Sequence, residues 1–385
     1  MKILYHHRIR SKDGQFVHVE EMVGALRSLG HDVIIAAPRS MESNEFGSDA
    51  GLVQWMKRHL PHFIYELLEF SYSFIAYWRL SKAVRFHQPD VLYERYNLFM
   101  PAGVWIKHRF GIPMLLEVNS PLYEERSRYD GISLKSFAQW SERYVWSNAD
   151  YVLPVTRVMG DIIAAKGIPE NRICIVPNGI NLERFSVTTD TESAKLALGI
   201  QGKMVLGFTG FVRSWHGLDD IIDMIANDDE NLSRHLLVVG DGPARSSLEA
   251  QAHRLGIADR VTFTGIIGRN EVSRYVAAFD IALQPAVVAY ASPLKLFEYL
   301  MLGRAIVAPS QPNIMEILSD GVNAVLFDPD KPGGLSEAIN RVSNDAELRQ
   351  KIAAGAHACI DEQGLTWRRN AERVIDKFNE LLAKE

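Results

Sequence analysis

The sequence predicts an α/β protein made of two Rossmann-like, doubly wound parallel-sheet domains. Apolar runs of strand length alternate with amphipathic stretches through both halves of the chain, as in parallel sheets covered by helices on both faces. At 385 residues the chain is too long for one ordinary core, so two domains are expected. A hydrophobic fraction of 47% and a charged fraction of 23% exclude a disordered or fibrous protein.

The predicted strands are apolar runs of the kind that parallel sheets bury on both faces. In the first half they are residues 2–6, 32–37, 90–93, 113–117 and 150–155. In the second half they are residues 203–209, 235–239, 260–263, 280–284, 305–308 and 324–327. A polar stretch, SVTTDTESAK, follows Phe185 and places the seam near 181–202, so we expect domains over 1–185 and 186–365.

Charge and cysteine content argue against several classes of function. The chain has 42 Lys and Arg against 47 Asp and Glu, and a net charge of −5 is unfavourable for a general nucleic-acid binder. Two cysteines, Cys174 and Cys359, cannot form a disulfide framework or a four-ligand zinc site. The N-terminal segment has no apolar core of a secretory signal, so a cytoplasmic protein is expected.

Residues 61–80 form an apolar, aromatic-rich stretch. His62, Glu66, Glu69 and Arg79 interrupt it, whereas a membrane-spanning helix needs about twenty mostly uncharged residues. The spacing of its apolar residues favours a buried or half-buried helix. The alternative is a helix that rests on a membrane surface, at the inner face of the membrane, or receives a greasy acceptor.

The loops that follow strands are where ligands bind in open α/β sheets, and two such domains facing each other would form a cleft. The first of these loops, residues 5–14, leads into a helix near residue 15. Gly14 allows close approach of a ligand, and free N–H groups at the helix start favour a phosphate or carboxylate. His18 lies in the first turn of that helix. The alternative is a glycine that only turns the chain.

Two further loops carry glycines at strand ends. Gly210 and Gly217 bracket Arg213 and His216 ahead of a helix, an arrangement that suits a diphosphate. Residues 240–243, Gly-Asp-Gly-Pro, follow the next strand and lead into another helix. The alternatives are a solvated loop with a packed Trp for the first and a tight turn without ligand contact for the second.

The segment 292–303 is the most informative. Ser292 is placed to cap a helix whose first residue is Pro293. Lys295 then lies near the positive end of the helix, where it is unfavourable unless an anion binds. Glu298 follows one turn later on nearly the same face, and a carboxylate suits the two hydroxyls of a ribose. The alternative is an i,i+3 surface ion pair.

Together these motifs resemble the retaining glycosyltransferases of family 4, which have the GT-B fold. The matching segments are Val176–Asn181 followed by Phe185, Gly240–Pro243 with Leu248 and Glu249, residues 261–285, and 292–303 followed by Ala305–Ala308. The resemblance implies a C-terminal domain that holds a sugar nucleotide and an N-terminal domain that holds the acceptor. It implies no cofactor and no obligatory metal, so Asp328-Pro329-Asp330 is interpreted as a turn. It also implies that the last helix, about 366–385, packs back on the first domain.

The chain departs from the family pattern at the donor site. Glu298 matches the second Glu of the family motif E-x7-E, which grips the ribose, but the first falls on Tyr290, and Lys295 or Ser292 is expected to compensate. Phe211 and His216 stand where the family has an Arg and a Lys for the diphosphate. Arg213 is expected to supply the missing cation, and His216 a hydrogen bond and a charge that depends on pH.

The family often has a donor-contacting His after the strand 113–117. This chain has Glu117 and Asn119 in that region, and the sequence does not choose between them. Residues 264–268, including Ile266, are expected to contact the base largely through backbone. Arg213, His216 and Lys295 are thus the candidate catalytic residues. The candidate substrate-binding residues are Gly14, His18, Glu117, Asn119, Gly210, Gly240, Gly242, Ile266, Tyr290, Ser292, Leu294, Leu296 and Glu298.

The resemblance implies transfer of a sugar from a nucleoside diphosphate sugar, UDP rather than GDP on family frequency, to an acceptor hydroxyl. The acceptor is expected to be a lipid-linked or envelope glycan, with a small natural product as the alternative. A non-catalytic subunit of the same fold, motivated by the missing side chains, and a nucleotide-sugar epimerase are the other hypotheses.

Overall fold

The structure, a computed structural model, describes residues 1–9, 14–38, 59–186, 190–228 and 233–383. The chain forms two compact units. The first comprises Met1–Pro177, Tyr290–Ser292 and Trp367–Glu385. The second comprises Asn178–Ala289 and Pro293–Thr366.

The first unit contains a parallel sheet in the order β2-β1-β3-β4-β5. Its strands are β1 (Lys2–His6), β2 (Asp32–Ala36), β3 (Val91–Arg95), β4 (Met114–Val118) and β5 (Tyr151–Pro154). In the register of the sheet His6 lies opposite Glu94, and Arg95 lies opposite Glu117. Polar and charged side chains therefore meet at the carboxyl edge of an otherwise apolar sheet.

Helices cover this sheet on both faces. They are α1 (Gly14–Ser28), α2 (His62–His87), α3 (Ala102–Phe110), α4 (Leu122–Tyr129), α5 (Lys135–Asn148), α6 (Arg157–Ala165) and, from the end of the chain, α15 (Trp367–Leu382). The C-terminal helix α15 packs against α1, with the Trp367 ring centroid 4.9 Å from that of His18. The last helix therefore belongs to the unit that the first residues build.

The second unit contains a parallel sheet in the order β11-β10-β9-β6-β7-β8. Its strands are β6 (Met204–Thr209), β7 (Arg234–Val239), β8 (Val261–Phe263), β9 (Ile281–Leu283), β10 (Ala305–Pro309) and β11 (Val325–Phe327). Its helices are α7 (Thr191–Ala197), α8 (Leu218–Ala226), α9 (Arg245–Arg254), α10 (Val272–Val276), α11 (Leu294–Met301), α12 (Pro312–Met315), α13 (Gly334–Asn344) and α14 (Ala346–Gln363). Each strand predicted from the apolar runs overlaps an observed strand.

The division between the units falls earlier than the sequence suggests. It lies between Pro177 and Asn178, because Ile180 and Phe185 are buried in the core of the second unit. The Ile180 N–H also donates to the carbonyl of Leu365, 3.0 Å away. The predicted seam includes residues 187–189, which lie outside the described residues.

The predicted helix at 61–80 is longer in the structure and runs over His62–His87 as α2. Of the helices in the described ranges, none combines the length and apolar character needed to cross a bilayer.

Candidate functional site

Two strand-end loops of the second unit pack backbone against backbone. Gly210 and Gly240 have φ angles of +117° and +147°, which favour glycine. A Cβ atom on Gly240 would lie 2.1 Å from the Gly210 oxygen, and one on Gly242 would lie 2.2 Å from the Val212 oxygen. The Val212 N–H donates to the Asp241 carbonyl at 2.9 Å. These glycines are needed for the loops to meet, and their contact with a ligand stays a prediction.

Lys295 lies directly beneath the first of these loops. It is the second residue of α11, and a Cβ atom on Gly210 would be 3.6 Å from its Nζ. The ammonium sits over the Phe208 ring, 3.5 Å from the centroid, in a cation–π contact. Within the described ranges no carboxylate forms an ion pair with it. Burial lowers the pKa of Lys295 to about 7, partly offset by the charge of Glu298.

The start of α11 differs from the expectation. Pro293 is the N-cap, with an extended ψ of 120°, and the helix begins at Leu294. Ser292 therefore does not cap this helix. A proline in this position costs little because it has no N–H to leave unpaired.

His216 and Arg213 form the opening turn after β6. The Arg213 N–H donates to His216 Nδ1 at 3.1 Å. Since Nδ1 accepts, the neutral ring carries its proton on Nε2 and can donate from there. Burial, with the nearby charges of Lys295 and Arg213, lowers the pKa of His216 to about 3. The expected pH-dependent charge is thus moved well below neutrality, whereas the exposed Arg213, stacked 5.1 Å from the Phe211 centroid, supplies a fixed cation.

Glu298 is half-buried one turn after Lys295 on α11. Its Oε2 accepts a hydrogen bond from Thr209 Oγ1 at 3.3 Å. Burial raises its pKa to about 7, although the Thr209 hydrogen bond and the charges of Lys295 and Arg269 act in the opposite direction. The two side chains do not form the i,i+3 ion pair that was the alternative interpretation of this segment, so both ionisable groups are poorly compensated in the protein alone.

Sequence reasoning missed four residues that complete this group: Phe208, Thr209, Arg269 and Tyr299. The Tyr299 hydroxyl accepts from the Thr209 N–H at 2.9 Å, which fixes the end of β6 beside Glu298. The position of Phe208 and Thr209 in the sequence could have revealed them, because they are the last residues of a strand. Arg269 directly follows the segment 264–268, where the predicted base loop stopped.

Three further residues predicted to contact the substrate have partners within the protein. Tyr290 and Ser292 belong to the first unit, where Tyr290 OH donates to Glu125 Oε2 at 3.2 Å and the Tyr290 carbonyl accepts from Thr156 Oγ1 at 2.9 Å. The hydroxyl of Tyr290 therefore cannot act as the missing Glu without breaking this contact. The side chain of Leu296 is completely buried in the core of the second unit, and a contact of this residue with a ligand stays a prediction.

Two other predicted contacts stay accessible. Leu294 is half-buried in the first turn of α11. Ile266 is 60% exposed in the loop after β8, next to Gly265 with its φ of +70°.

Glu117 lies at the carboxyl edge of the first unit's sheet and is almost fully buried. Its oxygens accept hydrogen bonds from Tyr5 OH at 3.2 Å and Tyr93 OH at 3.0 Å, and Arg95 Nη1 makes a shorter contact. His18 Nε2 lies 2.9 Å from Oε2. Burial alone would raise the pKa of this carboxyl, but His18 and Arg95 hold it well below its usual range. Glu117 is therefore a saturated carboxylate of the protein interior.

The remaining candidates of the first unit surround this carboxylate. Asn119 is half-buried and its Nδ2 donates to Glu117 Oε1 at 2.5 Å, so Asn119 is the more accessible of the two alternatives. His18 is buried between Glu117 and Trp367. Gly14 is the exposed first residue of α1. Residues 10–13 of the predicted loop lie outside the described residues.

The arrangement in the second unit is suited to an anion with hydroxyl groups attached. It offers two cations, a neutral imidazole N–H and the start of a helix, and next to them a carboxyl group with one hydrogen-bond donor. Asp328–Asp330 forms a turn, in which the Asp330 N–H donates to Asp328 Oδ1 at 2.9 Å.

Comparisons with known proteins match one family model to each half of the chain. The family model for Glycosyltransferase Family 4 matches residues 12–184, and the model for Glycosyl transferases group 1 matches residues 190–358. A 2-deoxystreptamine glucosyltransferase of Streptomyces kanamyceticus is 25% identical over 293 residues, which cover 74% of this chain and 75% of that protein. An alpha-monoglucosyldiacylglycerol synthase of Streptococcus pneumoniae is 23% identical over 365 residues, covering 88% and 80%.

A solved structure of Anabaena Alr3699/HepE in complex with UDP is similar over 99% of this chain and 100% of that chain. Its TM-score is 0.78 and its sequence identity is 17%. At this identity the likeness shows the shared GT-B fold.

Proposed function

Because the chain is a glycosyltransferase of family 4 with the GT-B fold, we propose that it transfers a sugar from a nucleoside diphosphate sugar to an acceptor hydroxyl, with retention at the anomeric carbon. One observation carries this proposal. The ammonium of Lys295 is packed on Phe208 beneath Gly210 without a carboxylate partner among the described residues. A desolvated cation of this kind is stabilised when an anion binds beside it.

The diphosphate is proposed to lie against Arg213, Lys295, His216 Nε2–H and the start of α11. Glu298 accepts hydrogen bonds from the two ribose hydroxyls. The cations and the helix start neutralise the diphosphate, so the proposal needs no metal ion and no cofactor.

In the transfer step the bond between the anomeric carbon and the diphosphate oxygen breaks, and its electron pair stays on the diphosphate. The acceptor oxygen forms the new bond on the same face of the sugar, and its proton passes to the departing phosphate oxygen. Negative charge grows on the leaving group in the transition state. Arg213 and Lys295 stabilise that charge, which is the main electrostatic task of the protein.

UDP is the proposed nucleotide of the donor. Support comes from the similar Anabaena protein, which has been solved with UDP and with UDP-glucose. The loop with the exposed Ile266 is proposed to contact the base largely through its backbone.

The proposed acceptor is a lipid-linked or envelope glycan, used in the cytoplasm at the inner face of the membrane. The synthase of Streptococcus pneumoniae, whose name gives a glucosylated diacylglycerol as product, supports an acceptor of lipid character. A small natural product is the second candidate, supported by the similarity to the 2-deoxystreptamine glucosyltransferase.

Thermal unfolding in the presence of UDP, GDP, ADP and their sugar conjugates tests the donor. A nucleotide at a hundred times its Kd stabilises the native state by about 2.7 kcal/mol, and we expect UDP conjugates to do so at the lowest concentration. Lys295→Met is the matched variant, because it keeps the length of the side chain and removes its charge.

The coupling constant of the anomeric proton in the product then reports retention, with and without EDTA. If no nucleotide stabilises the protein, or if transfer requires added metal, the proposal fails. Interconversion of sugar nucleotides without an acceptor would favour an epimerase. Binding without any turnover would favour a non-catalytic subunit. That hypothesis follows from Tyr290, which stands where the family has the first Glu of its motif.

A further inference from the structure

The helix α2 exposes one long apolar side. Its inward side is buried in the first unit through Ala76, Leu80 and Val84, and Ser73 Oγ donates to the Phe99 carbonyl at 2.8 Å. The exposed apolar residues of the opposite side are Phe63, Leu67, Leu68, Phe74, Ile75, Trp78 and Phe86. Trp78 is 66% exposed and Phe86 is 80% exposed. Large aromatic residues exposed together in this way mark an interaction surface.

The acidic residues of α2 all point away from this side. Glu66 is buried, and its two oxygens accept hydrogen bonds from the N–H groups of Ser133 and Leu134, each at 2.7 Å. Glu69 is mostly buried and pairs with Arg126 at 2.9 Å. Glu66 is thus satisfied by backbone N–H groups and Glu69 is paired with Arg126, and neither carboxylate lies on the exposed side of the helix.

Cations occupy the C-terminal half of the exposed side. Arg79, Lys82 and Arg85 are all exposed, and Lys82 Nζ lies 6.0 Å from the Trp78 ring centroid. In the part of the chain that the structure describes, none of the three forms an ion pair. The outer face of α2, meaning these three cations and the seven exposed apolar residues, thus combines aromatic rings with positive charge only.

We propose that the outer face of α2 docks on the surface of a lipid bilayer that carries anionic headgroups. Rings such as Trp and Phe insert at the boundary between headgroups and acyl chains, and each nearby Lys or Arg adds attraction to anionic lipid. The 26 residues of α2 extend over roughly 39 Å, so the helix can lie flat in the interface. The charges of this face favour an anionic bilayer as its partner, because an uncharged bilayer or a purely apolar partner would leave the three cations without counter-charges.

This inference rests on the proposed function: it names the surface through which a membrane-proximal glycosyltransferase would contact the bilayer. Its test uses binding rather than transfer, so the two can fail separately. Purified protein is sedimented with vesicles of phosphatidylcholine alone and with vesicles containing about 30% phosphatidylglycerol. We expect binding to the anionic vesicles that falls as salt is added.

Two variants separate the contributions of charge and ring. R79Q/K82Q/R85Q should lower partitioning to the anionic vesicles by roughly a hundredfold, at about fivefold for each cation. L67Q/W78Q/F86Q should lower it as well, while glutamine keeps the helix favourable. The matched control R254Q/R341Q/K351Q removes three exposed cations of the second unit and should bind as the wild type does.

UDP-glucose binding by calorimetry, measured for all variants, reports that the protein is folded and checks the proposed function independently. Equal binding of the wild type to both vesicle types, or an equal loss in the control, would overturn the inference. A wild-type dimer that L67Q/W78Q/F86Q converts to a monomer without a change in vesicle binding would instead identify this face as an interface between copies.

Discussion

Each unit places a glutamate at the carboxyl edge of its sheet, and the surroundings shift the pKa values of the two carboxyl groups in opposite directions. Glu117 in the first unit receives hydrogen bonds from two tyrosines and Asn119 and has Arg95 and His18 against it, so its pKa is held well below the usual range. Glu298 in the second unit has one hydroxyl donor, and burial raises its pKa to about 7. A buried carboxylate that the protein itself satisfies stabilises the fold, whereas one left poorly satisfied beside an equally poorly satisfied cation is ready for a ligand.

The largest expected effect is on stability, and it tests directly whether Glu117 and Glu298 differ. Glu117→Gln leaves Arg95 without its buried counter-charge, which should cost about 3–5 kcal/mol in the free energy of unfolding of the first unit. Glu298→Gln, at a group that is half neutral near pH 7, should cost less than about 1 kcal/mol. Native-state hydrogen exchange of the β4 and β6 amides measures both.

The stability lost in Glu117→Gln relative to the wild type should also depend on pH. Because its pKa is lowered in the folded protein, its contribution is complete above the ordinary value of 4.5 and is lost as the pH falls below that value. Equal losses for the two glutamine variants at neutral pH would contradict the distinction between the two carboxylates.

The next effect is on turnover. Arg213 is exposed and forms no ion pair with a described residue, so Arg213→Ala should leave stability unchanged and lower kcat by about a hundredfold to a thousandfold. Steady-state kinetics with the donor that the thermal-unfolding test selects gives the value. Arg254→Ala, at an exposed arginine of α9, is the control and should behave as the wild type. Wild-type kinetics for Arg213→Ala would remove this residue from the site.

The smallest expected effect is the uptake or release of a fraction of a proton when the donor binds. It tests the protonation of Lys295 and Glu298. Both pKa values are about 7 in the free protein. A diphosphate stabilises charged Lys295, so above pH 7 binding should take up a proton. Ribose hydroxyls stabilise the ionised Glu298, so below pH 7 binding should release one.

Calorimetry of UDP-glucose in buffers of different ionisation enthalpy, at pH 6 and pH 8, measures this exchange. The diphosphate of UDP-glucose has no proton to exchange in this range, so the protein is the source. Lys295→Met should abolish the uptake at pH 8, and Glu298→Gln should abolish the release at pH 6. A proton balance that neither variant alters would show that other groups are responsible.

The fold was accessible from the sequence because both sheets are parallel and buried, and their strands therefore appear as short apolar runs between helical stretches. Lys295, Glu298, Arg213 and His216 were accessible for a related reason. They lie in loops or helix starts that directly follow strands, where chain order alone brings side chains to one edge of a sheet.

Other residues have environments that the sequence could not predict, because they come from distant parts of the chain. Glu117 appeared as a donor contact, but Tyr5 and Tyr93 from neighbouring strands satisfy it, and only strand register brings them there. Tyr290 appeared beside α11 in sequence and lies with Glu125 and Thr156 in the first unit. The side chain of Leu296 is buried, since one residue after Lys295 a helix has turned by about 100° toward the core.

The contact between Gly240 and Gly210 has a consequence for the engineering of this protein. The loop after β6 occupies the space that a side chain on Gly240 or Gly242 would require, so the loop after β7 can be exchanged only for one that keeps glycine at both positions. A chimera that brings in a loop without these two glycines would have to replace the loop after β6 at the same time.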